Sequence, residues 1–189
     1  VAATGELQTE SEKQWLKNKK PLPAEPKSKK QVLPKKGKTE TVSTPSAKNK
    51  TIQFKQNNVH DFAWFADKHF IIKTDTLKLH SGRVINAYAY YYEKNADAWS
   101  NSLAMIKRAI LTKSKWLGEY PYNVVSVVDG GNGGGMEYPT ITILEAGDSE
   151  KSLDFVIHHE VGHNWFEAIL ATNERTHPWM DEGMNTYYD

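Results

Sequence analysis

The run His159-Glu160-Val161-Gly162-His163 places two imidazoles four residues apart, with a carboxylate directly after the first. On an α-helix, residues i and i+4 share a face, about 40° apart around the axis and one turn apart along it. Both rings can then reach a single tetrahedral metal ion. Glu160 projects from the neighbouring position, where it can take a proton from a water at the metal without filling a coordination site. The chemistry on offer is metal-assisted hydrolysis, with His159 and His163 as ligands and Glu160 as general base.

A catalytic zinc site takes three protein ligands and leaves one position open. Beyond His163, after eighteen intervening residues, the segment Pro178-Trp179-Met180-Asp181-Glu182-Gly183 offers Glu182 at the expected start of another helix. A third histidine on the first segment would need glycine where Phe166 stands and histidine where Ile169 stands, so a carboxylate third ligand is favoured. His177, Asp181 and Glu174 could approach the same point from a loop or helix start. His158 adjoins the motif but points about 100° away from His159 around the helix.

Elements must hold these groups in place. A helix is expected over residues 152–170, with Leu153, Ile157, Val161, Trp165 and Ala168 along one side and no proline before Pro178. An earlier helix is expected from Asn95 as cap to Gly118 as stop, burying Trp99, Leu103, Ile106 and Ile110. Residues 51–55 alternate, 70–74 form a short apolar run, and 84–92 are rich in β-formers and end in three tyrosines. Residues 123–128 and 140–144 add two β-branched runs. The expectation is an α+β fold with a mixed β-sheet of about five strands against the long motif-bearing helix and further helices. The glycine-dominated residues 129–135 read as a turn between strands. They lack the Lys-Ser/Thr of a phosphate loop, which argues against a nucleotide site.

Composition divides the chain in two. Residues 1–50 hold twelve Lys and five Glu, a net of +7, whereas residues 51–189 carry −6, so the overall +1 hides the contrast. Residues 8–50, with Pro21, Pro23 and Pro26 and the pairs Lys29-Lys30 and Lys35-Lys36, read as a solvated linker or surface insertion. This stretch lacks arginine and offers only Trp15 as a stacking ring, so no nucleic-acid partner is expected. Cysteine is absent, which excludes disulfides, thiolate zinc sites and cysteine nucleophiles. No run of eighteen apolar residues occurs, and Val1 is followed by no signal-like segment. The expectation is a soluble piece of a longer protein, stopping at Asp189 within an element. An exported or periplasmic setting in a bacterium is one expectation, although no residue fixes the compartment.

With the His159 to Glu182 spacing in hand, the chain resembles the aminopeptidase N-like family of zinc metallopeptidases, which belong to the gluzincins. Gly134-Gly135-Met136-Glu137-Tyr138 looks like the family's Gly-x-Met-Glu-Asn element, with Tyr138 in place of its Asn. Trp179 to Gly183 looks like its Trp-x-x-Glu-Gly segment, and Val59-His60-Asp61-Phe62-Ala63 is similar to the opening of its catalytic domain. The resemblance covers roughly residues 51–189, the N-terminal part of such a domain. It implies a thermolysin-like zincin half-domain, with residues 1–7 as the last strand of a preceding β domain. It also implies one Zn2+ held by His159, His163 and Glu182, and a substrate site at Gly135, Met136 and Glu137, where Glu137 takes the substrate's free α-amine. Release of N-terminal amino acids from a peptide or protein substrate is the implied activity. The family's transition-state tyrosine comes from beyond Asp189, within a helical C-terminal region that would be this segment's partner. Tyr187 and Tyr188 read as packing residues. The alternative is a non-catalytic zinc- or peptide-binding module.

Overall fold

The computed structural model describes residues 1–18, 48–131, 133–145 and 149–189. Most of the lysine-rich segment, residues 19–47, therefore lies outside the described residues. Four two-residue strands come first: β1 (Ala2–Ala3), β2 (Glu6–Leu7), β3 (Phe54–Lys55) and β4 (Trp64–Phe65). β1 pairs with β4 and β2 with β3, both antiparallel. Helix α1 (Glu10–Asn18) stands where the composition predicted only solvated chain. Its Glu12 is buried and meets Lys50 Nζ at 2.8 Å, so two ends of the lysine-rich segment are tied together.

The main sheet contains β5 (Ile71–Lys78), β6 (Val84–Tyr91), β7 (Val124–Asp129), β8 (Gly135–Tyr138) and β9 (Ile141–Leu144), in the order β5-β6-β7-β9-β8. β6, β7 and β9 run parallel, and the outer pairs β5–β6 and β8–β9 are antiparallel. The sheet is mixed and five-stranded, yet one member differs from expectation. Residues 51–55 yield only β3, outside this sheet, and the fifth strand is β8, drawn from the end of the glycine-rich stretch. β8 forms the edge, antiparallel to β9, with Glu137 opposite Thr142.

Three more α-helices complete the described fold: α2 (Ser102–Leu117), α3 (Glu150–Gly162) and α4 (Glu182–Tyr187). Asn95 does not cap α2. Its amide instead donates to Asp129 Oδ2 at 2.7 Å, and two 3-10 turns precede the helix proper. Gly118 ends α2 with a φ of 105°, a conformation that glycine adopts without a Cβ clash. Trp99, Ile106 and Ile110 on this side join Leu153, Ile157 and Val161 of α3 and Ile85, Val125, Val127 and Leu144 of the sheet in one core. Each such side chain, fully buried, contributes about 1.5–3 kcal/mol. That core fixes α3 against the sheet and so fixes what α3 carries.

Ser149 caps α3, its hydroxyl accepting from Ser152 N at 3.2 Å. The helix is not regular to residue 170. It ends at Gly162, and Asn164–Ile169 form a wider π-helical turn with Ala168 N donating to His163 O at 3.0 Å. Asn164 accounts for the change: its amide donates to Val161 O at 3.0 Å while its oxygen accepts from Thr140 N at 2.9 Å. Such π turns concentrate at functional sites.

Candidate metal centre

α3 carries His159 and Glu160 in its last turn, and His163 is its C-cap. α4 begins at Glu182, capped by Asp181, whose side chain accepts from Glu182 N at 2.8 Å. The two short helices bring three donor atoms together. His159 Nε2 lies 3.3 Å from His163 Nε2 and 3.2 Å from Glu182 Oε2, and His163 Nε2 lies 3.7 Å from Glu182 Oε2. Ligand atoms about 2.0–2.2 Å from a tetrahedral zinc ion are about 3.3–3.6 Å from one another. The three separations, 3.2, 3.3 and 3.7 Å, lie within about 0.1 Å of the edges of a tetrahedral zinc polyhedron, and the donor set of two imidazoles and a carboxylate suits zinc. His177 and Glu174 are outside this triangle; Asp181 belongs to a second buried trio of donor atoms, with Glu137 and His163, all within 4.8 Å.

The two histidines differ in protonation. His163 is 1% exposed, and burial, then the neighbouring His159, pull its pKa down to about 3, so the ring is neutral. Burial also pulls His159 downward, but the Asp189 carboxylate outweighs it, and the net shift is upward. Asp189 Oδ2 is 2.6 Å from His159 Nδ1, a carboxylate partner for the Nδ1 proton that orients Nε2 toward His163 and Glu182.

Behind Asp189 stands a buried network absent from the sequence reading. Lys113 of α2, fully buried, donates to Asp189 Oδ1 and to Asn185 Oδ1, each at 3.1 Å. Asn185 in turn donates to His159 O at 2.7 Å. Gly162 is what lets this network fit: a Cβ there would overlap Asn185 Oδ1 and Lys113 Nζ. Asn185 lies on α4 and Asp189 just past its end, so the network joins segments remote in sequence and left no periodic signal.

Glu160 points the other way, onto the sheet, and is 5% exposed. Its Oε2 is 3.3 Å from Thr142 Oγ1 of β9. Gly135 of β8 lies against the same carboxylate, and a Cβ at that position would overlap it. Burial, then repulsion from Glu137, raises Glu160 to about 7. Met136 offers its carbonyl to Thr142 Oγ1 at 2.9 Å. Glu137, which residue type alone would put on the surface, is buried on β8 with Oε1 3.8 Å from His163 Nδ1, and burial raises it to about 7. His159, Glu160, His163, Glu182, Gly135, Met136 and Glu137 thus lie within one neighbourhood, built from α3, α4 and the β8–β9 edge. His158 does not join: burial lowers its pKa, and it is absent from both trios of donor atoms.

A second buried acid went unread. Glu167, on the π turn, meets His60 Nε2 at 2.8 Å, and burial raises it to about 8. Tyr188 stacks on Phe166 and tilts against Trp116, with ring centroids at 5.4 and 6.4 Å, while Tyr187 is 80% exposed.

No family model matches the chain. Among solved structures, the chain is similar to an M1 zinc metallopeptidase from Deinococcus radiodurans, at 22% identity and a TM-score of 0.51. A Glu-to-Ala mutant of that protein aligns at 21% identity with a TM-score of 0.51, and the mutant bound to a Tyr-Ser-Ala substrate at 20% with 0.50. Each alignment covers 62% of this chain and 27% of the other, so the chain spans about a quarter of the length of these proteins. At such identities the likeness is one of fold. No helix among the described residues is long and apolar enough to cross a membrane.

Proposed function

We propose that the chain is the N-terminal, ligand-bearing part of a thermolysin-like zincin domain that hydrolyses peptide bonds, releasing N-terminal amino acids. The observation that carries this reading is the triangle of His159 Nε2, His163 Nε2 and Glu182 Oε2, with edges of a tetrahedral zinc site, beside a buried Glu160. Similarity of fold to M1 zinc metallopeptidases supports it.

Zinc held by His159, His163 and Glu182 would supply Lewis-acid activation of the scissile carbonyl and of water. Glu160 is the general base: it takes the proton of the attacking water and passes it to the leaving amine. Its burial against β9 and β8 holds the carboxylate in place for both transfers. Glu137, at the β8 edge, receives the substrate's α-ammonium, flanked by the backbone of Gly135 and Met136. Burial strengthens that ion pair and restricts cleavage to the terminal residue.

Metal analysis of the purified chain should return one zinc per molecule. Glu160→Gln should keep that zinc and, in a polypeptide that hydrolyses aminoacyl anilides, lower kcat by about 10²–10⁴-fold. An undiminished rate with zinc retained would remove Glu160 from the mechanism. One observation favours a second reading, a non-catalytic zinc- or peptide-binding module: Tyr188 is committed to packing on Phe166 and Tyr187 is turned to solvent. Stoichiometric zinc with no turnover even by a chain extended at its C-terminus would select it.

A further inference from the structure

A general base works only when its carboxylate is held in one place, yet a glutamate side chain has three rotatable bonds and loses substantial rotamer entropy on being fixed. Glu160 is fixed by the sheet. In β9, Ile141 and Ile143 face the cluster containing Phe70 and Tyr90, whereas Leu144 faces the core shared with α3. Alternation puts Thr142 on the α3 side with Leu144. Thr142 is buried there, a hydroxyl on an otherwise apolar face, where a polar group costs free energy unless hydrogen-bonded. It has two partners: Glu160 Oε2 at 3.3 Å and Met136 O at 2.9 Å. A hydroxyl has a single proton to give and lone pairs to accept with. It cannot donate to both at once.

We propose that Thr142 is the positioning residue of the general base, its hydroxyl holding one carboxylate oxygen of Glu160, Oε2, against β9 and leaving the other for the proton of water. The proposal rests on the hydrolytic reading above. Oε2 keeps the Thr142 O–H as its donor throughout, and the proton of water is taken up and later given to the leaving amine at Oε1, so the carboxyl never has to rotate. The notch left by Gly135 confines the carboxylate from the opposite side.

The test is a double-mutant cycle on the zinc-loaded full chain, read by the affinity of a simple amino-acid hydroxamate in calorimetry. Zinc stoichiometry and thermal unfolding are measured for every variant. Such a probe engages both the metal and the carboxylate of the base, and needs no turnover. Thr142→Val keeps the β-branched shape and removes the hydroxyl; it should weaken the probe about tenfold in the parent background. In a Glu160→Ala background the same change should cost under about twofold, because the carboxyl that Thr142 holds is gone. Thr142→Ser should restore binding to within about threefold. Equal losses in both backgrounds, no loss in the parent, or no rescue by serine would overturn the proposal. A parent chain that binds no zinc would overturn the hydrolytic reading and this proposal with it, whereas zinc and hydroxamate binding without coupling to Thr142 would overturn the proposal alone.

Discussion

Toward the sheet, the histidine pair is backed by Glu160, 5% exposed and set between Thr142 and Gly135; toward α4, it is met by Glu182, whose side chain is 52% exposed at the start of a six-residue helix. The first flank is held by packing: α3 sits on a core of Leu153, Ile157 and Val161, and its carboxylate drops into a notch in the sheet edge. The second is held by polar contacts, with Lys113, Asp189 and Asn185 tying α4 to α2 and α3 through four hydrogen bonds. Division of labour follows. A base must be immobile to be effective, whereas a ligand receives part of its fixation from the metal it binds.

Two glycines, one on each flank, should separate these roles. Gly162→Ala would drive a methyl into Asn185 and Lys113, with neither partner free to move without losing a buried hydrogen bond. We expect the largest effect here: about 1–3 kcal/mol of lost stability from overpacking, with zinc affinity falling as α4 is displaced. Gly135→Ala should leave zinc bound and the fold standing. Its methyl displaces the Glu160 carboxylate, and a shift of about 1 Å in a catalytic group can cost about 10²-fold in kcat. Thermal melts and chelator competition on both variants would merge the two flanks if each lost zinc equally.

A milder cut at the α4 flank is Asp189→Asn, which keeps an acceptor for His159 Nδ1 but removes the charge that raises the ring's basicity. Partners of this kind tune zinc affinity by about 10–100-fold, and the retained acceptor places the expected loss at about tenfold. Chelator competition reads it directly; an unchanged affinity would reduce Asp189 to a partner of Lys113.

The packed flank was the more legible one in the sequence. Leu153, Ile157, Val161 and Trp165 recur at helical spacing, and all four are buried as that spacing requires. Apolar burial leaves a period, whereas polar networks between distant segments do not. Lys113 is the clearest case: a lysine within an amphipathic helix reads as solvated, and only the meeting of α2 with α4 makes it a buried donor. Strand β8 was misread for a related reason. Gly133 and Gly134 have positive φ and do form a turn, but Gly135 is extended, and its missing side chain serves the close approach of Glu160. The π turn also lacked a signature, because Asn164 acts through Thr140, which is remote in sequence.

The smallest expected effect is also the one in which pH pulls the flanks in opposite directions. Asp189 is depressed below 3.8 because its hydrogen bonds to His159 and Lys113 outweigh its own desolvation. Its contribution to stability is therefore present above the unfolded value and is lost as pH falls through the folded one. On the sheet flank the shifts are upward: Glu137 and Glu160 to about 7 and Glu167 to about 8, all led by burial. These groups hold protons in the folded chain that the unfolded chain has released, so stability declines as pH rises from about 4.5 through 7–8. A zinc-free chain should consequently be most stable on the acid side of neutrality. Glu167→Gln removes one of the three upward-shifted acids without touching the histidine pair, and it preserves a polar partner for His60. The decline in Tm between pH 5 and pH 8, recorded with chelator present, should become shallower by about 2–4 °C, while the acid limb set by Asp189 stays where it was. A variant that lost stability across that window as steeply as the parent would show that Glu167 is already ionised in the folded chain, stabilised by His60, and that the sheet flank tolerates buried negative charge better than its packing implies.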